Sequence, residues 1–340
     1  METSLTKSLH ISFPLIMAPM FLVSNQKMME EAILNGIAGV FPTLNYRDPE
    51  QLRSTILALN QFKLKLSGSG NFGVNLIVQK SNPTYLKHLT ICVETKVPFY
   101  ITSLGNPAQV IVEAKSYGAK VFCDVTNLVH AQKAASMGCD GFVAVGMGAG
   151  GHAGNFPLSL LVPALKKAFP HLPVMAAGGL ADGAGIVSVL ALGADAAYMG
   201  TRFIASKEAP ASDAYKQAIV SAKMGDIVLS DRLSGTPSNI INTPYAQKIG
   251  YHQNWFEHLL NTNAKTKKYF KMLTQLRGMK KLEASVKPGN YNNLWSAGQS
   301  VELINEILSI NEIIAQLKQE TYLAFKDLKT KFEADLPRGH

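Results

Sequence analysis

Short, nearly continuous apolar runs alternate with longer stretches of helical spacing from residue 14 to about residue 205. The runs fall at 14–20, 39–45, 72–78, 98–104, 120–125, 141–146, 173–179 and 196–203, eight in all. Apolar runs without polar alternation suit strands covered on both faces, as in a parallel sheet flanked by helices. The stretches 26–35, 51–61, 108–117, 128–137, 158–169 and 183–192 carry the helical pattern. Gly36, Gly118, Gly138 and Gly193 stand where four of these helices should stop, each a few residues before a strand. Eight such βα units in about 200 residues predict an α/β fold of the (β/α)8 TIM-barrel type. A doubly wound sheet is the competing architecture. It fits less well, because glycine loops here follow late strands and not only the first.

The pattern changes beyond the barrel, which is assigned to residues 1–224. Residues 225–290 are more polar, with turn formers at 234–237 and at Pro288 and Gly289, and are expected to form an inserted helical subdomain serving as substrate domain or lid. In the last segment, 291–335, Leu303, Ile307, Ile310, Ile313, Ile314 and Leu317 recur at helical spacing, so C-terminal helices should pack back on the barrel. Residues 336–340 read as a frayed tail.

Composition narrows the class. Apolar residues make up 47% and charged residues 17% of 340, a balance that suits a packed enzyme and excludes a disordered chain. The formal charge of +9 raises a nucleic-acid reading, yet no RNA-binding motif, zinc finger or helix-turn-helix pattern accompanies it. Part of the excess lies in Lys265, Lys267, Lys268, Lys271, Arg277, Lys280 and Lys281, which read as a solvated helix face. A positive field also suits an anionic substrate or cofactor. Cys92, Cys123 and Cys139 lack CxxC spacing, against both a disulfide framework and a structural zinc site. With no signal-peptide layout at the start and no apolar run of membrane-spanning length, a cytoplasmic protein with neither membrane nor nucleic-acid partner is expected. The oligomeric state is left open.

Candidate chemistry concentrates at 146–154, Gly-Met-Gly-Ala-Gly-Gly-His-Ala-Gly, just after the sixth apolar run. Glycines let backbone N–H groups approach a ligand closely, and His152 among them is presented to it. Imidazole titrates near neutral pH and suits proton transfer. The other histidines lie in helix-like or polar stretches or near the termini. In a barrel the site lies at the C-terminal strand ends. Gly178 and Gly179 after the seventh run, and Gly200 and Thr201 after the eighth, would therefore form a phosphate cradle. Arg202 could reach that phosphate or turn away into an ion pair, and Asp182 should cap the next helix. Asn75, an amide within an apolar strand, needs polar partners, which a flavin ring or its ribityl chain could supply. No HExxH, Cys/His cluster or paired acidic motif suggests a metal, and no GxSxG elbow a serine hydrolase.

These segments together resemble the nitronate monooxygenase family, FMN-containing barrels related to the flavin-dependent enoyl-acyl carrier protein reductases. The matching pieces are PLIMAPM at 14–20, FGVNLI at 72–77, GMGAGGHAG at 146–154, AAGGLADG at 176–183, YMGTRF at 198–203 and LWSAGQ at 294–299. The resemblance implies FMN contacts from Ala18, Pro19, Met20, Asn75, Val145, Gly150, Gly151, Gly178, Gly179, Tyr198, Met199, Gly200 and Thr201. It places His152 at the reactive face of the ring and Met20, His152 and Gln299 in the substrate pocket. Two positions depart from the family. Gly148 stands where an acid is common, and Val145 where glutamine is common, so Val145 can offer only its backbone and the loop is expected to be looser. The implied reaction is oxidation of an anionic alkyl nitronate, and of neutral nitroalkanes, by O2, to a carbonyl compound and a nitrogen oxyanion. A protonated His152 would pair with the anion; a neutral one would take the α-proton of a nitroalkane. Two alternatives stand beside it: an NAD(P)H-dependent reductase of the enoyl or quinone type, and a non-catalytic flavin- or phosphate-binding module.

Overall fold

A computed structural model describes residues 1–66, 68–79, 82–231, 237–252 and 294–333. Eight parallel strands close into a barrel: β1 (Leu15–Met17), β2 (Ala38–Pro42), β3 (Asn71–Ile77), β4 (Phe99–Ser103), β5 (Lys120–Val125), β6 (Gly141–Val145), β8 (Val174–Ala177) and β9 (Ala196–Met199). Closure comes from β9 pairing with β1, Leu15 opposite Ala197 and Met17 opposite Met199. Each strand overlaps one of the eight apolar runs. Several end short of the run, because the last residues of the run turn outward into the loops at the barrel mouth.

Strand side chains divide between two cores. Ile16, Val40, Phe99, Phe122, Val143 and Met175 fill the barrel interior. Leu5 and Leu9 of the helix Ser4–Leu9, with Ile11 just after it, join that cluster and plug the lower end. Thr3 and Ser4 hold the plug by donating hydroxyl protons to the carbonyl and carboxylate of Asp195, just ahead of β9. Sequence pattern gave no notice of this six-residue helix. A larger cluster fills the layer between strands and outer helices. The four expected glycine stops all adopt positive φ, which frees the last helical turn to reverse.

The C-terminal segment forms one helix, Ile310–Glu333, after a 3-10 turn at Gln299–Leu303. Ile313, Ile314, Leu317 and Thr321 are buried, and the helix lies against Gly183–Ala191. A Cβ on Gly183 would meet the backbone nitrogen of Thr321 at 2.2 Å, so the two backbones need a glycine there.

The segment expected to be helical from residue 225 begins instead as sheet. Strands β10 (Ile227–Ser230) and β11 (Ser238–Ile241) pair antiparallel, and β11 also pairs with the two-residue β7 (Gly151–His152). Their runs, Ile-Val-Leu-Ser and Ser-Asn-Ile-Ile, are rich in β-branched residues, which favour strand over helix. One short helix, Pro244–Ile249, follows. The basic run at 265–281, most of the expected turn residues and the tail at 336–340 lie outside the described residues. Among the described residues no helix is long and apolar enough to cross a membrane.

Candidate active site

A cavity of about 1210 Å³ opens at the C-terminal ends of the barrel strands. It exceeds the roughly 300–1,000 Å³ common for small-molecule sites. Ala18, Pro19, Met20, Asn75, Val145, Gly150, Gly151, His152, Gly178, Gly179, Tyr198, Met199, Gly200 and Thr201 all line it. Thus fourteen positions picked from five separate sequence segments meet at one mouth. Gln299 does not join them. It is exposed and is not among the residues that line the cavity, and its contribution is a backbone N–H donated to the Gly148 carbonyl at 3.2 Å. Neighbours in the same segment, Leu294, Ser296 and Ser300, line the cavity instead.

Each wall is fixed locally. The Ala18 N–H donates to the Met199 carbonyl at 2.8 Å, tying the end of β1 to that of β9. Asn45 accepts from the Leu22 N–H and donates to the Ser24 carbonyl, fixing the turn after Met20. The histidine loop is bound from two sides. Its Gly148 carbonyl accepts from the N–H groups of Gly179 and Gln299, and the Asn239 amide donates to the carbonyls of Met147 and Ala149 at 3.0 and 2.8 Å. The looser loop expected from the missing acid is therefore not found. A Cβ at Gly148 would already sit 3.0 Å from the Gly179 nitrogen, because the two loops pack backbone to backbone.

His152 ends β7 and pairs with Ser238 of β11, with its side chain at the open side of the wall. The insertion, not the barrel alone, thus fixes the backbone of the candidate base. Across the mouth, Gly178 and Gly179 take φ of +119° and +74°, a region that side chains penalise. A Cβ on Gly179 would meet no atom within 4 Å, so the absent side chain leaves room in the cavity itself. The Thr201 hydroxyl accepts the Gly298 N–H at 3.0 Å, which leaves its own proton for another acceptor. Arg202 turns away. It is buried, donates to the Glu306 carbonyl at 3.0 Å and stands outside this cavity. Asp182 caps its helix by accepting from the Gly185 N–H, as expected.

A polar chain runs along the cavity floor. The Asn75 amide donates to Ser103 Oγ at 2.7 Å, and the Ser103 hydroxyl donates to Asp124 Oδ2 at 2.5 Å. Burial pushes the Asp124 carboxyl up to about 6, against the lowering effect of the Ser103 bond. Asp124 Oδ1 and the Tyr198 hydroxyl are both covered and lack hydrogen-bond partners among the described residues. Burial first, and the nearby Asp124 charge second, hold the Tyr198 phenol well above its usual range. Sequence reasoning placed Asp124 at the site end of the fifth strand without giving it a role, and passed over Ser103 and Asn239. An acid inside the run Val-Phe-Cys-Asp-Val was a visible signal; nothing marked the other two. Among the described residues no group of three or more His, Cys, Asp or Glu could hold a metal.

The closed parallel barrel with a glycine-walled cavity at its strand ends has the architecture of a barrel enzyme. The chain belongs to the nitronate monooxygenase family, whose model matches residues 61–320, and is a flavin-dependent oxidoreductase. It is 28% identical over 256 residues to the (3aS,4S,5R,7aS)-5-hydroxy-7a-methyl-1-oxo-octahydro-1H-indene-4-carboxyl-CoA dehydrogenase of Rhodococcus jostii, spanning 75% of this chain and 69% of that protein. A probable nitronate monooxygenase of Staphylococcus aureus is 26% identical over 296 residues, spanning 74% and 81%. Among solved structures, FabK from Thermotoga maritima superposes with a TM-score of 0.81 at 29% identity, covering 97% of this chain and 99% of that one. Nitroalkane oxidase from Streptomyces ansochromogenes shares the fold, with a TM-score of 0.78 at 22% identity over 96% and 100% of the chains.

The residues present fit a flavin mononucleotide. The glycine pair with its open Cβ direction and the Thr201 hydroxyl proton suit a phosphate. Ala18, Pro19 and Met20 supply apolar surface for a ring, and covered polar atoms lie at the cavity floor.

Proposed function

We propose that the protein binds FMN and uses O2 to oxidise alkyl nitronates, with neutral nitroalkanes as further substrates, to carbonyl compounds and nitrogen oxyanions. The observation that carries this reading is the juxtaposition of His152 with the glycine cradle across one cavity. Gly178, Gly179, Gly200 and Thr201 would hold the phosphate. Ala18, Pro19, Met20 and Asn75 would lie along the ring, with Val145, Gly150 and Gly151 offering backbone. The bound flavin would supply electron transfer between substrate and O2. His152 would do the rest of the polar work. Protonated, it pairs with the nitronate anion; neutral, it accepts the α-proton of a nitroalkane at an imidazole nitrogen. The test is O2 uptake by flavin-loaded protein supplied with propionate 3-nitronate. Uptake supports the reading, and a loaded protein that consumes no O2 refutes it.

A second reading rests on cavity size. The space runs past the strand ends to Gln79, Asn82, Asn106, His130 and Lys133, more than a small nitronate fills. This suits an NAD(P)H-dependent reductase of the enoyl or quinone type, and the dehydrogenase relative points the same way. Anaerobic bleaching of the flavin by NADH distinguishes the two.

A further inference from the structure

Asp124 is an acid set into the inner wall of a largely apolar barrel. It lines the cavity beside Asn75 and Tyr198, the residues to which the preceding reading gives the flavin ring. Oδ2 is occupied by the Ser103 hydroxyl, whereas Oδ1 is covered and unpartnered among the described residues. Its surroundings offer little to balance a negative charge. Ser103 on β4 is neutral; Tyr198 on β9 and Cys123 on its own strand are weak acids that would add negative charge; Val145 closes the β6 side. The cationic or titratable groups of the following helix, His130 and Lys133, stand at the rim, as His152 does on the opposite loop. None of the ion pairs among the described residues includes Asp124.

We propose that Asp124 is a charge-compensating group for the cofactor: when the bound flavin is reduced, its carboxylate takes up a proton from solvent through the cavity. The proposal rests on the flavin reading above. In the balanced step, two electrons enter the bound flavin from a reductant, and one solvent proton goes to Asp124 in addition to those the flavin itself takes up. The physical reason is electrostatic. A second negative charge in a covered, low-dielectric site is costly, so added electron density raises the proton affinity of the acid beside it. The raised affinity that burial already gives Asp124 brings this uptake near neutral pH. The Ser103 hydrogen bond opposes uptake by stabilising the carboxylate, and the unpartnered Oδ1 can receive the proton.

The experiment is anaerobic reductive titration with dithionite, following midpoint potential from about pH 5 to about pH 9 in the flavin-loaded wild type, D124N and S103A. The wild-type plot should contain a segment steeper by one proton per two electrons, and D124N should lack it. S103A should keep the segment and move it to higher pH, a shift that a purely structural role for Asp124 would not produce. A D124N flavoprotein with the wild-type proton count overturns the proposal while leaving the flavin reading intact. Protein that takes up no flavin at any pH overturns both. Should D124N fail to fold, S103A decides: a segment at unchanged pH, or none in the wild type, overturns the proposal.

Discussion

At the scale of single residues, His152 and Gly148 show how far a motif can be read. A histidine flanked by glycines has few packing partners along its own chain, so its presentation to a cavity was legible. His152→Ala should lower turnover of a neutral nitroalkane by roughly 10²–10⁴-fold, the usual worth of a positioned base, with a smaller effect on a preformed nitronate. Steady-state rates on the two substrates check this, and equal losses on both would remove the base role. Gly148 was legible only as a departure. Its cause is the 3.0 Å approach to the Gly179 nitrogen, a contact between loops far apart in sequence. Gly179→Ala is expected to cost about 1 kcal/mol of stability from its positive φ and to weaken flavin binding by placing a methyl group in the cradle. Fluorescence titration with FMN, alongside thermal unfolding, reads both effects.

Among elements, the eight barrel strands could be located from apolar runs because both faces of each are covered, and burial on both faces leaves an unbroken pattern. The antiparallel pair β10 and β11 could not be so located. These strands are short, and what stabilises them is their partner: β11 pairs with β7, whose two residues form a strand only because β11 is there. Asn239 carries that dependence into the site by donating to two loop carbonyls. Asn239→Ala should destabilise the fold by roughly 0.5–1.5 kcal/mol, the net worth of an ordinary hydrogen bond, since the carbonyls it leaves are within reach of water. It should also raise the KM for substrate, because the backbone of His152 loses its brace. Urea unfolding and KM measurements test the two effects, and an unchanged KM would separate the loop from the insertion.

For the whole molecule, Asp124 links stability to pH. Its folded-state carboxyl is raised to about 6, so between roughly pH 4 and pH 6 the folded state binds more protons than the unfolded one. This group therefore favours folding less as pH rises through that window, and its penalty is complete above it. D124N abolishes the penalty. Its apoprotein should gain stability relative to wild type by about 2 kcal/mol more at about pH 8 than at about pH 4.5, measured by urea unfolding. Sequence by itself determined the count of barrel strands, the order of βα units, the glycine stops and most of the expected residues of the mouth, because each is written in local pattern or in short motifs. Tertiary structure alone decided the rest. It kept Arg202 and Gln299 out of the cavity lining, closed the barrel floor with the helix Ser4–Leu9, braced the histidine loop from β11 and set Asp124 beside Ser103 and Tyr198. These depend on which distant backbones touch and which polar atoms lose water, and neither quantity exists until the chain has closed on itself.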